Sequence, residues 1–133
     1  MSLRKQPKVY LWDWSTVNDP GARRENLIAS HLLKAVQLWT DIGLGDYGLY
    51  FVRDKARREV DFLVTKDGQP WILAEVKSGS GRGLNPNLEG FHDLLGAEHA
   101  FQLVFDLEHA VEDVFALRRP VRVPATSFLS QLV

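Results

Sequence analysis

The 133-residue sequence contains no cysteine, so it can form neither a disulfide nor a thiolate zinc site, an absence that accords with a reducing compartment. It has no apolar run near the roughly 18 residues needed to cross a bilayer, and the polar start MSLRKQPK lacks the apolar core of a signal peptide. A cytoplasmic protein without membrane contact is expected. An excess of one charge is missing too: the formal net charge is -1, so any attraction to nucleic acid must come from a locally basic surface. The histidines His31, His92, His99 and His109 show no metal-ligand spacing and carry no assigned chemistry. There is no G-x-x-x-x-G-K-[ST] either. In KSGSGRG (77–83) the Lys-Ser pair precedes the glycines, the wrong order for a phosphate loop, so the chain is not an ATPase by that route.

What is present suffices for one core: 45% of the residues are hydrophobic and 25% charged, which predicts a single domain over 1–133. KVYLWDW (8–14) reads as a short strand. Asp19 and Pro20 offer an N-cap and first helical residue for a helix from Arg23 to about Thr40, where Ile28, Ala29, Leu32, Leu33, Val36 and Trp39 recur at helical spacing until Gly43 and Gly45 end the pattern. Three strand-like runs follow at 47–54, 58–66 and 70–78, then a Gly-rich loop over 77–87. Asn85 and Pro86 start a second helix carrying Leu88, Phe91, Leu94 and Leu95. A strand at 100–106, a helix over 110–119, a short strand and a terminal amphipathic turn complete the chain. The predicted core is αβββαβ.

The stretch EVDFLVTKDGQPWILAEVK (59–77) places charges where a plain buried hairpin would carry Val or Leu. A two-residue Asp67–Gly68 loop with uniform pairing would set Asp61 opposite Ala74. A three-residue loop, Asp67 to Gln69, with a bulge sets Lys66 opposite Pro70 and Asp61 opposite Glu75. The second register sorts Val60, Phe62, Val64, Ile72, Ala74 and Val76 to one face and Glu59, Asp61, Glu75 and Lys77 to the other, with Leu63 and Leu73 behind them. The odd loop is therefore expected. Facing carboxylates repel and are costly to desolvate unless a cation or shared proton compensates them. A hard divalent cation, with Lys77 at one of its waters, would serve. The plainer alternative is Lys77 pairing with Glu59 and Glu75 on a solvated sheet face. Glu25 lies on the apolar stripe of the first helix, four residues before Ala29 and seven before Leu32, so a third carboxylate could reach the sheet, unless it serves only the helix dipole.

Together, the αβββαβ order, the helix-borne Glu25, Asp61 in EVDFLV and the Glu75-Val76-Lys77 triplet resemble the PD-(D/E)XK nuclease superfamily, with its restriction-endonuclease-like mixed sheet flanked by helices. More closely, KVYLWDW, GARRENLIASHLLK, REVDFLV, ILAEVKSG and VRVPATSFLSQL resemble the uncharacterised domain that follows the AAA-type ATPase module in prokaryotic ATPases. That resemblance implies a fragment of, or a partner to, such an ATPase, in cis or in trans. It also implies that Glu25, Asp61, Glu75 and the Val76 carbonyl hold Mg²⁺ or Mn²⁺, with Lys77, Glu75 and Asp61 as the catalytic set of an endonuclease or exonuclease acting on DNA.

The basic residues Arg53, Lys55, Arg57 and Arg58 before Asp61, and Arg82 after Lys77, are candidates for phosphate contact, against the reading of solvated charged loops. Trp12, Trp14, Trp39 and Trp71 read as core or interface anchors rather than base-stacking platforms. Three functions stand open: a metal-dependent phosphodiesterase, a catalytically inert interaction or regulatory module docking on an ATPase domain, and a nucleic-acid binder that does not cleave.

Overall fold

The computed structural model describes residues 9–13, 23–77, 83–105 and 113–132, with 9–13 and Arg23 as backbone alone. The first helix, α1, spans Arg23–Asp41. Its buried stripe is Ile28, Ala29, Leu32, Ala35, Val36 and Trp39, spaced by three and four residues so that one face meets the sheet. Truncating Leu32 there would cost on the order of 2–5 kcal/mol. The helix ends as predicted, with Gly43 at φ 84° and the Leu44 N–H donating back to the Trp39 carbonyl at 2.9 Å. Asp19 and Pro20 lie outside the described residues.

A strand β1 (Val9–Asp13) precedes α1, and β2 (Tyr47–Asp54), β3 (Glu59–Lys66) and β4 (Gln69–Lys77) follow it. Then come α2 (Pro86–Leu95), β5 (His99–Val104), a 3₁₀ turn at Val114–Ala116, β6 (Val121–Pro124) and α3 (Ala125–Ser130). The six strands stand in sequence order in one sheet. β1 to β4 pair antiparallel, while β5 runs parallel to β4 and β6 parallel to β5. Such a parallel step needs a crossover, and α2 supplies it. Every residue of β5 is buried, as befits a parallel strand covered on both faces. The protein is thus α/β with a mixed sheet flanked by helices, and the α-β-β-β-α-β succession lies within it.

Two cores sandwich the sheet. Phe62, Val64, Ile72, Ala74, Phe101, Leu103 and Val123 pack with the α1 stripe, and Phe128 of α3 joins them. Val52, Val60, Leu63, Leu73 and Ala100 pack under Leu88, Phe91 and Leu95 of α2. Trp39, Tyr47, Trp71, His99, Phe101, Phe115 and Phe128 form a chain of ring contacts in the first core, so Trp39 and Trp71 are structural anchors. The His99 Nδ1 lies 2.8 Å from the Leu117 carbonyl. Leu94, expected on the buried face of α2, is 47% exposed. Of the helix expected over 110–119, the described part holds only the 3₁₀ turn, whose Val114 and Phe115 N–H groups are capped by the side chains of Gln131 and Asp113. Among the described residues, no helix is long and apolar enough to cross a membrane.

The β3–β4 hairpin reaches the expected central register by a different device. Lys66 pairs with Gln69, not with Pro70, so the turn is the two residues Asp67 and Gly68, at φ 53° and 79°. Both take the left-handed conformation that a tight twisted hairpin requires. The register then shifts: Thr65 faces Pro70, but Val64 faces Ile72, leaving Trp71 as the extra residue of a bulge. Phe62 accordingly pairs with Ala74, and the same register carried one step further sets Asp61 across from Glu75. The odd offset comes from the bulge rather than from the loop.

A second bulge corrects the predicted faces. Tyr50 pairs with Leu63 and Val52 with Val60, so Phe51 alone stands against both Asp61 and Phe62. Val60 therefore joins Leu63 and Leu73 under α2 instead of sharing a face with Phe62. Asp61 sits at the break in alternation.

Candidate functional site

The acidic residues meet where the β3–β4 pairing stops. Past Phe62–Ala74, the Asp61 side chain takes over from the backbone ladder: its Oδ2 accepts the Val76 N–H at 2.9 Å. Burial, with Glu25, Glu75 and Glu59 nearby, pushes the Asp61 carboxyl up to about 7, against the opposing pull of the Val76 amide. A carboxylate here gains one strong backbone donor and several like charges. Its proton is held more tightly than an ordinary aspartate holds one.

Glu75 is raised in the same direction, first by burial and also by Glu25, while the Asn85 hydrogen bond and Lys77 act to lower it. Its two oxygens differ. Oε1 accepts from Asn85 Nδ2 at 2.9 Å, whereas Oε2 is buried with no hydrogen-bond partner. A buried carboxylate oxygen left without a donor is expensive, on the order of 1–3 kcal/mol or more. Lys77, two residues further along β4, is exposed. Glu25, in the first turn of α1, is half-buried and acts electrostatically on both Asp61 and Glu75. It does not point away into bulk solvent. Among the described residues, however, no three His, Asp or Glu side chains converge closely enough to hold a metal ion in this conformation.

Two further polar residues support Glu75 and escaped sequence reasoning. Asn85 caps α2, its Oδ1 accepting from the Asn87 N–H at 2.9 Å, and its other amide end holds Glu75. Gln102, fully buried on β5, accepts the Asn85 N–H through Oε1 at 2.7 Å and donates through Nε2 to the Gly83 carbonyl at 3.0 Å. Burying an amide without such partners would cost about 1–3 kcal/mol. In the parallel register Glu75 stands beside Gln102, and Gln102 beside Arg122 of β6, whose Nε is buried without a hydrogen-bond partner. A polar residue inside the apolar run AFQLVF was the available signal for Gln102.

The basic candidates divide. Arg58 is ion-paired to Asp54 at 2.6 Å and Arg53 to Glu59 at 2.8 Å, with the Arg53 guanidinium also 5.5 Å from the Phe51 ring centroid. Lys55 and Arg57 are exposed at the β2–β3 turn, and Arg57 holds φ 61°. Arg82 lies outside the described residues, as do His109 and the side chains of Trp12 and Trp14. Arg24 is exposed, its guanidinium 5.2 Å from the Phe105 ring centroid.

No curated protein and no solved structure matches the chain. One family model does, over residues 20–115, a span that takes in Glu25, Asp61, Glu75, Lys77, Asn85 and Gln102 and leaves out β1, β6 and α3. On that match the chain belongs to the family described as a domain of unknown function, DUF4143.

Proposed function

We propose that the protein is a metal-dependent phosphodiesterase of the PD-(D/E)XK type acting on DNA, in association with an AAA-type ATPase domain. One observation carries this reading: Glu75 presents a buried, unpartnered carboxylate oxygen beside Asp61 and Glu25, in a cluster whose acids outnumber its nearby cation, Lys77. The donor set is hard oxygen throughout, which suits Mg²⁺ or Mn²⁺, and the lone pairs of Glu75 Oε2, without a hydrogen-bond donor, are open to a cation. The α-β-β-β-α-β succession supports the same reading as a resemblance of fold, which by itself carries no activity.

In this reading Glu25, Asp61, Glu75 and the Val76 carbonyl would hold the ion. A bound Mg²⁺ or Mn²⁺ would acidify a water and neutralise charge at a phosphodiester. Asp61 is anchored on the Val76 N–H near the start of β3, next to Glu75 and Glu25. Lys77 brings an ammonium next to Glu75, where it can orient the attacking water and offset charge growing on the phosphate oxygens. Exposure leaves Lys77 within reach of substrate. Lys55 and Arg57, with Arg53, Arg58 and Arg82, would meet the backbone phosphates.

One observation favours a second reading, the inert interaction or regulatory module: the three carboxylates do not converge as the chain stands. A cleavage assay on single- and double-stranded DNA with Mg²⁺ and Mn²⁺ separates the two. The first reading expects metal-dependent cutting that Lys77→Ala reduces at least a hundredfold. Equal traces of cutting in both proteins would leave the inert module as the better account.

A further inference from the structure

Glu75 is held by a short hydrogen-bonded chain that begins on another strand, and the pattern is too specific for a helix cap alone. Asn85 uses each polar group for a different purpose. Its Oδ1 caps α2 through the Asn87 N–H, its Nδ2 holds Glu75 Oε1, and its backbone N–H is held by Gln102 Oε1. A serine or aspartate would cap the helix equally well, but neither offers an amide donor to the glutamate. Gln102 then fixes where Asn85 stands, because its Nε2 also grips the Gly83 carbonyl and so ties the chain on both sides of Leu84. Gln102 is 0% exposed, between the apolar neighbours Phe101 and Leu103 that belong to the opposite core. Its amide thus stands where an apolar side chain would serve packing, and both ends of it are spent on locating one loop.

We propose that Gln102 and Asn85 are positioning residues that lock the Glu75 carboxylate in one orientation, with Oε1 occupied and Oε2 turned toward the incoming divalent cation. This rests on the metal-site reading above. The orientation matters because a glutamate has three rotatable bonds, and an unrestrained carboxylate would present either oxygen or swing toward Lys77. With one oxygen tied, the other is left as a single preformed ligand atom. Outer partners of this kind orient ligands in metal sites generally, and their loss costs about 10- to 100-fold in metal affinity.

Asn85→Ser separates positioning from capping, since serine retains the N-cap and is too short to hold Glu75. Mn²⁺ binding by calorimetry should weaken at least tenfold in Asn85→Ser, while the metal-free variant, its Tm lowered by several °C as Glu75 Oε1 loses its donor, stays folded at the assay temperature. In the metal-free protein, proton exchange of the Asn85 side-chain amide, followed by NMR, should be slow in the wild type and at least tenfold faster in Glu75→Ala. An Asn85→Ser protein with wild-type Mn²⁺ affinity overturns the proposal, and so does an Asn85 amide whose exchange ignores Glu75→Ala. A wild type that takes up no Mn²⁺ overturns it by another route. If the Asn85 amide is nevertheless protected by Glu75, the tie exists and the fault lies in the metal reading; if Mn²⁺ binds and the amide is unprotected, the fault lies in the positioning alone.

Discussion

Asp54 and Asp61 lie seven residues apart on the same hairpin, and the molecule treats them in opposite ways. Asp54, at the end of β2, is only 4% exposed. Burial acts to raise its pKa, yet the Arg58 amide and guanidinium, together with the Ala56 amide, outweigh it and hold the carboxyl below the ordinary value. Asp61 receives the Val76 amide but faces Glu25, Glu75 and Glu59, and its pKa rises to about 7. One buried carboxylate has its compensation built into a four-residue turn. The other meets three neighbouring acids that, with burial, outweigh the Val76 amide, so it holds its proton more tightly. That contrast is what distinguishes a structural acid from a functional candidate here, since burial alone does not.

The largest expected effect comes from removing the built-in compensation. Arg58→Ala leaves the Asp54 carboxylate under-compensated at the base of the turn, where its Oδ1 still accepts the residue-58 N–H. Tm at pH 7 should fall by several °C, with the hydrogen bonds of the guanidinium to Asp54 lost. A carboxyl with a lowered folded pKa contributes stability above its unfolded value, near 3.8, and loses it as pH falls through the folded value. The gap between Arg58→Ala and the wild type should therefore narrow below about pH 4. Melts at pH 7 and pH 3 check this; an equal gap at both would mean that Arg58 stabilises by packing.

Asp61→Asn should show the opposite sign. A carboxyl with a raised folded pKa contributes stability that is complete below the unfolded value of 3.8 and lost as pH rises through about 7. Asparagine keeps an oxygen for the Val76 N–H and carries no charge. At pH 8 the metal-free variant should melt higher than the wild type by roughly 5 °C, and the difference should vanish near pH 4. Millimolar Mg²⁺ should raise the wild-type Tm at pH 8 and leave Asp61→Asn unmoved. A variant less stable at pH 8, with no Mg²⁺ response in the wild type, would place Asp61 beside Asp54 as a structural residue.

The contrast between these two acids was half legible in the sequence. Helical spacing from Ile28 to Trp39, the caps at Asn85 and Gly43, and the β-branched and aromatic runs gave α1, α2 and the succession of β2, β3, β4 and β5, because burial imposes patterns that one chain displays. The acids Glu25, Asp61 and Glu75 were readable as residues out of place on apolar faces. The places of the bulges were not: the one expected at the Asp67–Gln69 loop stands at Trp71, and the one at Asp61–Phe62 was not foreseen, since a bulge costs one residue of register and leaves no composition signal. Hence Val60 was assigned to the wrong face and the turn was made one residue too long. Gln102 and Asn85 escaped for a related reason. The hydrogen bonds that give them meaning join β5 to the loop before α2, across 17 residues of sequence. Only the folded register brings them to Glu75.

The smallest expected effect tests whether the turn that shelters Asp54 also serves the site of Asp61. Arg57 is an exposed arginine at φ 61°, a conformation that costs an L-residue on the order of 1 kcal/mol and that glycine adopts freely. Its guanidinium is not the partner of Asp54, which Arg58 supplies. A strained, exposed cation beside a satisfied turn does nothing evident for stability, so the charge must be wanted for contact or be indifferent. Arg57→Gly should raise Tm by up to about 3 °C, as strain relief is partly offset by the entropy of the unfolded glycine. If the turn touches nucleic-acid phosphates, the same variant should bind DNA a few-fold more weakly at 100 mM salt, with the slope of log affinity against log salt reduced by about 1. Lys55→Ala, at the same turn, should weaken binding to a similar extent without the gain in Tm. Fluorescence anisotropy across a salt series, run with a Lys77→Ala background to suppress cutting, measures both slopes. A stabilised Arg57→Gly whose affinity and slope equal those of the parent would confine the turn to the structural role that Asp54 already gives it.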